Sequence, residues 1–367
     1  MSVSPAFSLR RHRRHRAAPR RPWSLAASWL LALVALGWSA SLAAQSAEAA
    51  SAPDDDTAIT EQARVLRQLG AAVVGVRALA TPEARSIETL GPVRLGSGVV
   101  IGPDGLVLTI GYLILEADKV DLLLPDGREL PARVVAYDLA TGFGLVQPLV
   151  PSGLTPALLG SSGEIDESAP HVIATGGEAG AMSVAQVISR RPFSGYWEYH
   201  IDGAIFTVPP RTDHSGAGLF NARGELVGIG SLIVTDAVGP GRQVPGNMFV
   251  PVDLLKPVLA ELRDHGASAQ SRRAWLGVNC VEYQGLVRVV KVSAESPAEA
   301  AGLQPGDVIL KLDGEPVGKL EVFYKKLWST PQPEREVTLE VGRGADVQTL
   351  KARTVDRMKT LRKAVGI

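Results

Sequence analysis

One cysteine stands among 367 residues, Cys280, so no disulfide can form within the chain and the fold must rest on its apolar core. A lone thiol of this kind is expected to be buried and inert. Aromatic residues are only 5% of the chain, against 38 glycines and 25 prolines, a balance that suits a turn-rich β protein better than a helical bundle. No His-Glu-x-x-His run and no paired Cys/His spacing is present, which leaves metal chemistry unsupported. There is no Walker-type phosphate loop, no internal repeat and no long low-complexity block. The reading therefore calls for no metal and no cofactor.

Net charge is also lacking, with 38 basic and 38 acidic residues, but the zero conceals an asymmetry. All charge in residues 1–44 is arginine, at 10, 11, 13, 14, 16, 20 and 21. Without those seven, 31 basic residues face 38 acidic ones, a net of −7 that offers no general attraction to nucleic acid. The basic start is followed by an uncharged apolar stretch, residues 24–43, and then by small residues around Ser41-Leu42-Ala43 and Ala47-Glu48-Ala49. That succession describes a secretory signal peptide over residues 1–44. The apolar stretch also approaches the ~20 residues of a spanning helix, so an uncleaved membrane anchor is the rival reading. Both export the rest of the chain.

What remains is punctuated β sequence. Residues 45–60 are small and acidic and read as a flexible lead; residues 61–70 suit a short helix. From Ala71 to about Val252, short apolar runs such as Gly98–Ile101, Leu106–Ile110, Val120–Leu124 and Ala132–Ala136 alternate with Gly, Pro and Asp. Asp104-Gly105 and Asp126-Gly127 each separate two such runs, a strong hairpin signal. Residues 253–264 have helical spacing, with Asp253 as candidate N-cap and Gly266 past the end. Residues 267–272 read as a small polar linker, and a second β-rich unit occupies about 273–354. A basic tail, 355–367, is expected to fray.

Several ordered segments carry a resemblance. The run Leu95-Gly96-Ser97-Gly98-Val99-Val100-Ile101, then Pro103–Thr109, resembles the opening of the HtrA/DegP family of serine proteases. Asp126–Glu129 with Ala132–Asp138 is similar to that family's next hairpin, and Asp213-His214-Ser215-Gly216-Ala217-Gly218-Leu219 with Arg223–Ile229 resembles its nucleophile loop. The resemblance runs over roughly residues 60–354. It implies an all-β-dominated chain: a trypsin-like double β-barrel over 61–266, then an α/β PDZ domain over 273–354.

A serine peptidase needs a hydroxyl nucleophile, a base beside it, a carboxylate orienting that base, and N–H groups aimed at the oxyanion. Carried over position by position, the nucleophile is Ser215, the base position is Tyr112 and the orienting position is Gly142. A free phenol titrates near 10 and is a poor proton acceptor at neutral pH, and Gly142 has no side chain to orient anything. Asp213 stands where the family has an oxyanion-loop glycine, which puts a carboxylate near the developing charge and is strained if its φ is positive. Loss of the base alone lowers the rate by roughly 10⁴–10⁶. Other bases are weaker candidates. His214 adjoins Ser215 but points elsewhere on a tight turn; His171 reads as a core histidine; His200 has no required place; Lys119 and Asp138 read as surface or turn residues.

In the second unit, Arg273-Ala274-Trp275-Leu276-Gly277-Val278 resembles a PDZ carboxylate-binding loop and the strand after it. Ser296–Leu303 is similar to a short helix with Ser296 as N-cap, Pro297 at N1 and Gly302 as C-cap. Gln304–Gly314 resembles the following hairpin, and Val322–Trp328 the helix that walls the groove. The implied mode is β-augmentation: a peptide adds a strand to a sheet edge while N–H groups near Leu276 and Gly277 hold its terminal carboxylate. The expectation is thus an exported HtrA-like pseudoprotease that binds polypeptides or protein C-termini, as scaffold, chaperone-like holder or regulator in the periplasm or cell envelope. Active HtrA homologues are candidate partners and a homo-trimer a candidate assembly, with no nucleic acid. The alternative is a serine endopeptidase that uses Ser215 with a non-standard base.

Overall fold

The computed structural model describes residues 55–362. The signal segment lies outside them; among the described residues no helix is long and apolar enough to cross a membrane. Helix α1 (Asp55–Ala72) is longer than the helix expected over 61–70 and begins within the stretch read as a flexible lead. Leu69 on its last turns is buried.

Six strands then close into a first barrel: Val73–Ala80, Val93–Val100, Val107–Ile110, Ala117–Leu123, Glu129–Tyr137 and Phe143–Pro148 (β1–β6), in the order β1-β2-β3-β6-β5-β4. Two short helices interrupt them, α2 (Ile87–Leu90) and α3 (Gly111–Ile114). His171–Ala174, Met182–Gly195, Tyr199–Val208, Gly218–Phe220, Leu226–Val234 and Gly246–Pro251 (β7–β12) close a second, in the order β10-β11-β12-β9-β8-β7. All pairings within each barrel are antiparallel, and closure leaves no free sheet edge in either. The Asp104-Gly105 and Asp126-Gly127 turns sit where the sequence puts them, between β2 and β3 and between β4 and β5, each with glycine at positive φ. Val74, Val99, Leu108, Phe143, Leu145, Phe206, Phe220 and Ile229 are almost completely buried in the shared core.

The expected helix over 253–264 is shorter. A 3-10 turn at Val252–Leu254 precedes α4 (Leu259–His265), because Pro257 lacks the N–H that would join them. Asp253 consequently caps no helix; its carboxylate accepts from Gly163 N–H (2.7 Å) and pairs with Lys256 (2.6 Å). Gly266, in the left-handed conformation, ends α4 as expected.

Residues 267–272 do more than link. Ser268 and Ser271 are buried, and both hydroxyls donate to the carboxylate of Asp138, which also accepts from Thr141 N–H (3.0 Å) and its hydroxyl (2.6 Å). Asp138 is fully buried, which corrects its reading as a surface or turn residue. It fastens the segment between the two domains to the first barrel.

The second domain holds Ala274–Trp275, Val278–Tyr283, Leu286–Val292, Val308–Leu312, Glu315–Pro316, Glu336–Arg343, Asp346–Arg353 and Val355–Asp356 (β13–β20), with helices α5 (Pro297–Ala300) and α6 (Leu320–Leu327). Its main sheet has the order β14-β15-β16-β18-β19, so β14 is an edge strand. Ser296 accepts from Glu299 N–H at 3.2 Å, with Pro297 at the first helical turn. Phe323, Tyr324 and Leu327 are fully buried and Trp328 partly so, as their helical spacing indicates. The tail departs from expectation up to residue 362. Val355–Asp356 pairs with Ala274–Trp275, Arg357 donates to the carbonyl of Trp197 (3.0 Å), and Arg362 N–H donates to Glu116 (2.8 Å). Eight residues read as loose instead tie the second domain to Trp197, beside the second barrel, and to Glu116, beside the first.

Candidate active site and peptide groove

Ser215 lies in the loop between β9 and β10, half-buried at the junction of the two barrels. The following Gly216 has a φ of 74°, and a Cβ there would meet the carbonyl oxygen of Ser97 at 1.9 Å, so only glycine lets the loop approach the first barrel this closely. Ser97 N–H donates to the Ser215 carbonyl at 2.8 Å and locks the approach.

Tyr112, on α3 directly after β3, reaches across the junction. Its phenol oxygen is 2.7 Å from Ser215 Oγ and 2.7 Å from the carbonyl oxygen of Ser231. The carbonyl can only accept, so the phenol proton goes to Ser231 and the Ser215 hydroxyl donates to the phenol oxygen. Burial of the phenol pushes its pKa up to about 12, against a smaller opposing effect of the Ser215 hydrogen bond. Ser215 is thus held by a neutral phenol.

Gly142 has a φ of 83°. Its Cα faces Tyr199, whose hydroxyl donates to the Thr141 carbonyl (2.7 Å) and would lie 2.9 Å from any Cβ at position 142. The space of an orienting carboxylate is filled by a tyrosine from β9.

Asp213 is exposed and accepts from Nε and Nη2 of Arg211, at 2.9 Å and 2.5 Å, and it is not among the residues with positive φ. The backbone strain expected there is absent. Burial raises its pKa, but the Arg211 hydrogen bonds and charge outweigh that and hold the carboxylate below its ordinary value.

No imidazole among the described residues hydrogen-bonds to Ser215. His214 Nδ1 is 2.9 Å from the Arg211 carbonyl, and burial lowers its pKa. His171 Nδ1 is 3.0 Å from the Ala169 carbonyl in the core. His200 sits between Ser194 (2.8 Å) and Asp202 (3.3 Å), away from the junction. His200, Asp202 and Glu321 converge closely enough to hold a cation, but Lys325 already lies 3.2 Å from Asp202 and 2.8 Å from Glu321. Behind Tyr112 a cavity of about 60 Å³ is lined by Tyr137, Glu198, Tyr199, Ser231 and Arg273. It has room for a few waters.

In the second domain Leu276 and Val278 are buried in the core, and Trp275 is partly exposed. Gly277 has a φ of 84°, which turns successive N–H groups toward one point. That point is occupied by Glu198, a residue the sequence did not single out. One carboxylate oxygen accepts from Leu276 N–H (2.9 Å) and the other from Gly277 N–H (3.2 Å). Cys280, fully buried on β14, gives its N–H to the carbonyl of Tyr196 at 2.8 Å, and burial pushes its thiol pKa far up.

Two antiparallel barrels meeting at a serine loop, followed by a small sheet with a carboxylate-binding turn, define a trypsin-like domain joined to a PDZ module. Residues 96–229 match the family model of the trypsin-like peptidase domain and residues 274–354 that of the PDZ domain. A DegP-like periplasmic serine endoprotease of Hahella chejuensis is 31% identical over 267 residues, covering 68% of this chain and 55% of that protein. Its counterpart in Pseudomonas fulva is 31% identical over 271 residues, covering 70% and 55%. The chain spans about half the length of the curated relatives it matches. Among solved structures, the HtrA-type protease AlgW with a tripeptide superposes at a TM-score of 0.51 and 22% identity, over 81% of this chain and 97% of that one. AlgW with a decapeptide gives 0.51 and 21%, over 81% and 98%. At that identity the likeness is one of fold. The chain belongs to the HtrA/DegP-like family.

Proposed function

We propose that this chain is an exported HtrA-like pseudoprotease that holds polypeptides without cutting them. The observation that carries this is the Tyr112 phenol at the base position, 2.7 Å from Ser215 Oγ with its pKa raised to about 12. At neutral pH the phenolate fraction is then roughly 10⁻⁵, so the group beside the nucleophile is almost always unable to take its proton. The filled space at Gly142 acts in the same direction. The relatives are named as proteases, and the proposed departure from their activity rests on Tyr112.

Polypeptide capture falls to the PDZ domain, through the N–H groups of Leu276 and Gly277 and the edge of β14, with a free C-terminus as ligand. Export places the protein in the periplasm, where it acts as scaffold, chaperone-like holder or regulator of envelope protein quality control, alone, as a homo-trimer or beside active homologues.

The test is incubation of the purified chain with unfolded casein and, separately, with a serine-directed fluorophosphonate. Neither cleavage nor labelling at Ser215 is expected. Turnover or labelling that disappears in Ser215→Ala would establish a serine endopeptidase with a non-standard base and end the proposal.

A further inference from the structure

The β8–β9 hairpin turns through three residues, Tyr196, Trp197 and Glu198. Glu198 takes the left-handed conformation, with a φ of 56°. Glycine or asparagine is the ordinary residue there, and a glutamate in that conformation carries a steric penalty that its surroundings must offset. The tip lies in the groove between β14 and α6. Tyr196 O accepts from Cys280 N–H (2.8 Å) on the free edge of β14, and Glu198 reaches the Leu276 and Gly277 N–H groups at the head of the same strand. The tip therefore runs antiparallel to β14. Its carbonyl bonds the strand edge two residues before a carboxylate enters the anion-binding turn. From the opposite wall, Tyr324 on α6 donates to Gly195 O (2.8 Å) and accepts from Glu198 N–H (3.2 Å).

This is the contact set that β-augmentation by a peptide C-terminus would make, with the Glu198 side chain in place of the terminal carboxylate. From it we infer that residues 196–198 are a built-in ligand of the PDZ groove, and that a polypeptide with a free C-terminal carboxylate binds there only by displacing them. The inference rests on the carboxylate-capture reading given above. Because the competitor is covalently attached, it acts at the effective concentration of an intramolecular partner, which is about millimolar for short connections. A free peptide must outcompete it.

The test uses the whole chain with two readouts. Hydrogen exchange is followed at the Leu276, Gly277 and Cys280 amides. A fluorescent peptide copying residues 192–197, extended by one valine with a free carboxylate, is titrated, with its C-terminal amide as control. In Glu198→Ala, the Leu276 and Gly277 amides are expected to exchange at least tenfold faster, and the free-acid peptide to bind at least tenfold more tightly than to the parent chain. Tyr324→Phe, which keeps the buried ring, is expected to shift both in the same direction by less, and guards against misfolding of the first variant. Equal protection of the two amides in Glu198→Ala would overturn the inference. So would equal peptide affinity in parent and variant, which would leave carboxylate capture standing. Faster exchange with no peptide bound by either protein would remove carboxylate capture, and this inference with it.

Discussion

Glu198 makes the groove sensitive to pH, and the sign can be worked out. Burial pushes its pKa up to about 7, opposed by Arg357 and by the N–H groups of Leu276, Gly277 and Val278. With the hairpin withdrawn, the group returns to an ordinary glutamate value near 4.3. The docked form therefore binds its proton more tightly than the open form. Its advantage is full below the open-state pKa and is lost as pH rises through about 7. Between about pH 5.5 and about pH 8, the ratio of docked to open groove should fall by roughly thirtyfold, or ~2 kcal/mol. Affinity for the free-acid peptide should therefore tighten toward alkaline pH, by at most that factor, where the docked form predominates. The groups facing Glu198 from the packed elements are Arg357 on the tail, Tyr324 on α6 and Cys280 on β14. Burial holds the tyrosine and the thiol neutral across this window. His200 on the same hairpin has its pKa lowered by burial. Glu198→Gln keeps His200 and removes the carboxylate, so peptide affinity in that variant should be nearly flat. The assay is fluorescence polarisation at several pH values. Affinity that tightens toward acid, or a slope as steep in Glu198→Gln as in the parent, would refute the reasoning.

Two further predictions concern the serine cleft. Tyr112→Phe leaves the Ser231 carbonyl and the Ser215 hydroxyl without their partner, and should lower stability by about 1–3 kcal/mol in thermal unfolding while casein cleavage stays at zero. Gly142→Asp, alone or with Tyr112→His, should restore no cleavage and should destabilise by at least ~1–2 kcal/mol, because φ is 83° and the new side chain meets the Tyr199 hydroxyl.

Much of the barrel was legible because its signals are local. Asp104-Gly105 and Asp126-Gly127 specify turns by their own backbone preferences, and the runs beside them became β2 through β5. Ser215, Tyr112 and Gly142 could be placed because motif order fixes them along the chain. What escaped depends on partners far away in sequence. Asp138 reads as a turn residue until Ser268 and Ser271 arrive some 130 positions later to bury it. Val355 and Asp356 carry no strand pattern of their own, and pair only because Ala274 and Trp275 offer an edge. Glu198 had no signature at all. The informative feature, a glutamate at a left-handed hairpin position, exists only once the turn of the β8–β9 hairpin is known.

The serine cleft and the PDZ groove meet in consecutive residues. Glu198, the last residue of the turn, enters the PDZ anion turn, while Tyr199, the first residue of β9, faces Gly142. The phenol of Tyr199, bonded to Thr141 O, stands where an orienting carboxylate would need room. Trp197 stacks on that ring at 5.7 Å and gives its carbonyl to Arg357 of the C-terminal strap. Rebuilding the orienting acid would thus push on the same turn that seats the PDZ domain. A side chain at 142 and the ring that carries the hairpin would compete for the same space. Withdrawal of residues 196–198 by a bound terminus would loosen Tyr199, but Tyr112 would still offer Ser215 no base. On the function proposed above, opening would expose a surface for holding polypeptide rather than a site for cutting it.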